Sequence, residues 1–123
     1  MPAFDSVLIV DDNRDALMLL GQLLGALGAK RVYPVASAEE ALEVLEEEVF
    51  SIILADYRLE GMDGVEFLNR LRRGGNATPV LILSGAPDQG DIIRASGHQH
   101  VDFFPKPFRI AELSGAMEKL LAA

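Results

Sequence analysis

Apolar runs of four to seven residues alternate along this chain with longer stretches in which apolar positions recur every three or four residues. Most runs of the first kind lack alternating polar positions, as strands do when both sheet faces are covered, and the second kind has the period of a helix with one buried stripe. Five strands are read in this way, at residues 7–10, 31–35, 51–55, 79–83 and 101–104. The first intervening helix places Ala16, Leu20, Leu23, Leu24 and Leu27 on one stripe, with Gly28 suited to a left-handed position past its end. The second opens with Ser37 and Glu40 at capping-box spacing and buries Ala38, Ala41, Leu42 and Leu45. The third starts at Asp63 with Glu66 three residues on, presents Val65, Leu68 and Leu71, and closes with Arg72 and Arg73 near its negative end before Gly74 and Gly75. A fourth spans roughly residues 89–96. The last covers about 109–121, with Ile110, Leu113, Met117, Leu120 and Leu121 as its core stripe.

Strand alternating with helix predicts an α/β fold with one parallel sheet covered on both sides. Right-handed crossovers leave few topologies, and the doubly wound order 2-1-3-4-5 is the expected one. In such sheets ligands gather beyond the carboxyl ends of the strands, where the strand order reverses. Strand one ends in Asp11 and Asp12, strand three in Asp56 and strand four in Ser84, and Lys106 follows strand five. Acids at a helix start favour its dipole, so Asp11 and Asp12 alone have an ordinary explanation. Three carboxylates with a hydroxyl and a lysine at equivalent strand ends do not. Such crowding is costly unless a hard cation offsets it, and Mg²⁺ takes one or two protein carboxylates while sharing the rest of its shell with phosphate. Asp56 is then placed to attack a phosphoryl group and become an aspartyl phosphate, with Lys106 and Ser84 contacting the phosphoryl oxygens.

Length and composition narrow the setting. A chain of 123 residues accommodates one core, so residues 1–123 are expected to form a single domain with no output domain attached. The absence of cysteine removes disulfides, thiolate-bound zinc and thiol catalysis. No basic leader and no apolar run of membrane-spanning length is present, so a cytoplasmic protein without membrane contact is expected. A net charge of -8 argues against a nucleic-acid surface. The glutamates between Glu39 and Glu48 read as a solvated helix face, and His98 and His100, without acidic or cysteine companions, as loop surface.

The motifs LIVDDN (8–13), ADYRLEGMDG (55–64), LILSG (81–85) and FFPKPF (103–108) occur in this order, and with them the chain, from Val7 to Leu121, resembles the receiver domains of two-component response regulators, including single-domain chemotaxis regulators. The resemblance implies a flavodoxin-like three-layer sandwich and Asp56 as phosphoacceptor. It implies Mg²⁺ held by Asp11, Asp12, Asp56 and the backbone carbonyl of Arg58, with Lys106 on the phosphoryl group. Ser84 and Phe103 become the switch pair, and the Lys106–Pro107 bond is implied to be cis. The implied donor is a phosphohistidine on a histidine kinase or histidine phosphotransfer protein, with a further protein downstream and the chain either monomeric or dimerising on phosphorylation. Departures from the family pattern include Ser84 in place of the commoner threonine, and Glu60 in place of a frequent proline, which implies a freer loop after Asp56. Arg58 and Ala86 stand where the family tunes dephosphorylation. A pseudo-receiver that keeps the fold without the chemistry is the alternative. A haloacid-dehalogenase-like phosphatase needs an acid at Arg58, and a flavin carrier needs a phosphate-cradling loop after strand one.

Overall fold

The computed structural model describes residues 5–122. The chain opens with β1 (Ser6–Val10), α1 (Arg14–Ala26), β2 (Arg31–Val35) and α2 (Ala38–Glu47). Next come β3 (Ile52–Asp56), the short strands β4 (Arg58–Leu59) and β5 (Met62–Asp63), and α3 (Gly64–Arg73). It closes with β6 (Val80–Ser84), α4 (Pro87–Ala95), β7 (Val101–Pro105) and α5 (Ile110–Ala122). The main sheet is parallel with order β2-β1-β3-β6-β7, which is the expected 2-1-3-4-5 once the two short strands are set aside.

Strand alternation divides the core in two. Leu8, Val10, Ile53, Ala55, Val80 and Ile82 face one side, where Ala38 and Ala41 of α2, Phe67, Leu68 and Leu71 of α3, and Ile93 of α4 cover them. Val7, Ile9, Ile52, Leu54, Leu81 and Leu83 face the other, under Leu17, Leu20 and Leu24 of α1 and Leu113, Met117 and Leu120 of α5. Three layers result, as in flavodoxin-like folds. Phe103 packs with the first side and Phe104 with the second, so the adjacent phenylalanines do part across the sheet.

Several details depart from the periodicity reading. In α1 the buried positions are Leu17, Leu20 and Leu24, while Ala16, Leu23 and Leu27 are half-buried, because the helix lies on the sheet rotated by part of a turn from the predicted stripe. Phe67, absent from the expected stripe of α3, is fully buried. Helix α4 begins at Pro87 rather than near residue 89, since proline's fixed φ suits a first helical turn before any apolar position recurs. The loop after Asp56 takes a defined form: Arg58 pairs with Asp63 and Leu59 with Met62 in an antiparallel hairpin whose tip, Gly61, has φ +85°. Capping follows the reading more closely. Ser37 accepts from the Glu40 N–H and Asp63 from the Glu66 N–H, and Gly28 sits at φ +98° just past α1.

Arg72, expected only to complement the helix dipole, does more. Its guanidinium donates to the carbonyls of Asn76 and Thr78 at 3.0 and 2.9 Å and to those of Gln99 and His100, both at 3.1 Å. One side chain thus ties the chain entering β6 to the chain entering β7, and burial pulls its pKa below the usual arginine value. Arg72→Ala leaves those carbonyls without their charged donor and is expected to cost about 2–3 kcal/mol in urea unfolding. Arg72→Lys recovers little of this, because an ammonium cannot reproduce the planar fork.

Candidate functional site

The parallel strands deliver their carboxyl ends to one edge, and the residues there are those read from the sequence. Asp11 follows β1 and is 3% exposed, its Oδ1 accepting the Asn13 N–H at 2.9 Å. Asp12 is exposed beside it, and Asn13 turns to cap α1 by accepting the Ala16 N–H at 3.1 Å. Asp56 is the last residue of β3, next to Leu83 in the register with β6. Its Oδ1 accepts from the Arg58 N–H at 3.4 Å and its Oδ2 lies 3.2 Å from Lys106 Nζ. Lys106 reaches this point from the loop after β7, where its own N–H donates to the Ser84 carbonyl at 2.7 Å and the Lys106–Pro107 bond is cis.

Asp56, Arg58, Gly85, Ala86, Gln89 and Lys106 line a cavity of about 370 Å³. Ser84, at the end of β6, is buried behind it, within reach of two acceptors: the Ala86 carbonyl at 2.8 Å and Oε1 of Gln89. Phe103 lies one strand away on β7, half-buried against α4.

Burial pushes the Asp11 carboxyl above the usual carboxylate range, and the charges of Asp56 and Asp12 act in the same sense. The Asn13 N–H and Lys106 oppose them without cancelling the rise. A buried carboxylate next to two others and one lysine suits a hard cation. Among the described residues no three Asp, Glu, His or Cys side chains close into a metal cage. Because the cluster strains the fold when no cation is bound, Asp11→Asn, which retains the acceptor for Asn13, is expected to stabilise the metal-free protein by roughly 0.5–2 kcal/mol. The check is urea unfolding in chelator; an unchanged midpoint would show that Asp11 carries no penalty.

Sequence reasoning missed Gln89, Gly90 and Arg94. A Cβ on Gly90 would lie 2.3 Å from Cζ of Phe103, and the Arg94 guanidinium stands 4.5 Å over the same ring. No pattern in the sequence singles these three out, because their contacts depend on how α4 is set against β6 and β7. His98 is hydrogen-bonded to Asn69, with Nε2 and Oδ1 2.6 Å apart.

The family model for the response regulator receiver domain matches residues 7–118. The "Probable chemotaxis protein CheY" of Rhizobium etli is 29% identical, over 95% of this chain and 92% of its own length. The transcriptional regulatory protein TctD of Salmonella typhimurium is 31% identical over 94% of the chain, which spans about half, 51%, of that relative. Among solved structures, the receiver domain of a sensor histidine kinase from Pseudomonas aeruginosa, described with a magnesium ion coordinated in its active-site cleft, superimposes with TM-score 0.82 at 27% identity, covering 97% of this chain and 98% of that one. With the sheet order and the strand-end residues already in place, the match over nearly the whole length shows that this chain belongs to the response regulator receiver domain family of two-component signalling.

Proposed function

We propose that the chain is an active phosphoacceptor in a two-component phosphorelay, with Asp56 taking a phosphoryl group from a phosphohistidine of a histidine kinase or histidine phosphotransfer protein. The observation that carries this reading is the placement of Asp56 Oδ2, 3.2 Å from Lys106 Nζ, at the mouth of a cavity beside the buried Asp11. An Asp56 carboxylate oxygen attacks phosphorus, the P–N bond breaks, and its electron pair leaves on the imidazole. Lys106 balances charge on the phosphoryl oxygens as a point charge, and Ser84 donates its hydroxyl proton to one of them. Asp11, Asp12, Asp56 and the Arg58 carbonyl are the groups that would hold Mg²⁺, which when bound neutralises charge on the transferring group. Rearrangement of Ser84 and Phe103 then alters the face that a downstream protein reads.

Acetyl phosphate, a small-molecule donor, tests this directly. Labelling of the full chain is expected with Mg²⁺ and is expected to fall to background in EDTA. Labelling that survives chelation, or none under either condition, counts against the reading. Amide shifts near Asp12 that ignore a Mg²⁺ titration favour the pseudo-receiver alternative.

A further inference from the structure

Gln89 is a buried polar side chain, 5% exposed, that the proposed acceptor chemistry leaves unused. It lines the Asp56 cavity, and its Oε1 is hydrogen-bonded to the Ser84 hydroxyl. That hydroxyl also reaches the Ala86 carbonyl at 2.8 Å and accepts the Ala86 N–H at 3.2 Å. A serine has one proton to donate. Any new acceptor must therefore take that proton from Gln89 Oε1 or the Ala86 carbonyl, while the bond accepted from the Ala86 N–H can stay.

The next residue on α4 holds the other switch side chain. Gly90 lies directly under the Phe103 ring, where a Cβ would come within 2.3–2.5 Å of three ring carbons, so no larger residue fits this arrangement. Arg94, one turn further along α4, lays its guanidinium over the same ring at 4.5 Å and pairs with Asp91 at 3.2 Å. Ser84 and Phe103 belong to different strands, yet consecutive residues of one helix fix both.

We propose that Gln89 is a positioning residue that latches Ser84 in the unphosphorylated arrangement, competing with a phosphoryl oxygen on Asp56 for the single hydroxyl proton and coupling Ser84 to Phe103 through α4. The identity of the competing oxygen rests on the acceptor reading; the hold on Ser84 and Phe103 does not. Release of the glutamine frees α4 to shift, and the Phe103 ring loses the flat seat that Gly90 supplies.

The test uses Gln89→Met, which keeps the bulk and removes the hydrogen bond, with beryllofluoride and Mg²⁺ as a phosphoryl mimic. Without beryllofluoride, the Ser84, Ala86 and Phe103 NMR resonances of Gln89→Met are expected to move toward their beryllofluoride-bound positions. The beryllofluoride midpoint is expected to fall about fivefold, the equivalent of one hydrogen bond of ~1 kcal/mol. In a Ser84→Ala background the same substitution should leave the midpoint unchanged, a result that general loosening of α4 does not produce. Coincident mimic-free spectra for wild type and Gln89→Met overturn the latch, as does a midpoint shift that persists without the Ser84 hydroxyl. A wild-type chain that takes up no beryllofluoride overturns the acceptor reading instead, and the latch is then decided by whether the mimic-free Phe103 resonances move in Gln89→Met.

Discussion

Asp56→Asn is expected to reduce labelling by acetyl phosphate at least ~10³-fold, the scale on which loss of a nucleophile acts. Asparagine matches the size of the carboxylate and keeps an oxygen for the Arg58 N–H, which Asp56 accepts at 3.4 Å. The substitution removes the negative charge that makes the group a nucleophile and a candidate metal ligand. The ion pair with Lys106 is lost as well, but its side chains are 19% and 35% exposed, so stability should change by less than about 1 kcal/mol. A melting curve close to that of wild type together with absent labelling separates chemistry from folding. Undiminished labelling of the asparagine variant would place the phosphoryl group on another residue and end the assignment.

Lys106→Met carries the second large effect, a loss of about 10²-fold in the labelling rate, comparable with removal of one charge-stabilising donor from a reacting centre. Methionine preserves much of the stem while deleting the ammonium that lies 3.2 Å from Asp56 Oδ2. Arginine is not expected to restore the rate, because its broad fork cannot occupy the place of a compact charge. Mg²⁺ binding should not weaken in Lys106→Met, since lysine offers no ligand oxygen and its loss leaves the carboxylate cluster more negative. A parallel collapse of Mg²⁺ affinity and labelling would instead assign Lys106 a role in holding the loop after β7.

Much of this site was legible because buried parallel strands announce themselves as uninterrupted apolar runs, and the residue that breaks each run marks its carboxyl end. Asp11, Asp56 and Ser84 needed nothing more than the end of a run to be found, and Lys106 came from the loop that follows one. Crossover handedness then brought those ends to one edge. Contacts that depend on how a helix is rotated on the sheet could not be read in this way. Leu17 and Phe67 lie within a few tens of degrees of the predicted stripes, and periodicity alone does not resolve such an angle. Gln89 and Gly90 resemble ordinary helix-surface residues until the β6–α4 loop turns one toward Ser84 and sets the other beneath Phe103. The β4–β5 hairpin escaped notice because two-residue strands have no period to detect.

The fourfold grip of Arg72 bears on motion as well as stability. By fastening the carbonyls of Thr78 and His100, it pins the amino ends of β6 and β7, the end of the sheet opposite Ser84 and Lys106. Helix α4 spans those two strands, entering near the cavity at Pro87 and leaving near the pinned end at Ala95. A tilt of α4 is therefore expected to pivot close to its last turn, with displacement growing toward Gln89 and Gly90. Arg72 is therefore expected to act as a fulcrum, so that a small change at Ser84 swings the near end of the helix and leaves its far end in place. Slow amide exchange around Val80 and Val101, beside faster exchange in the first turn of α4, is the expected signature of that division.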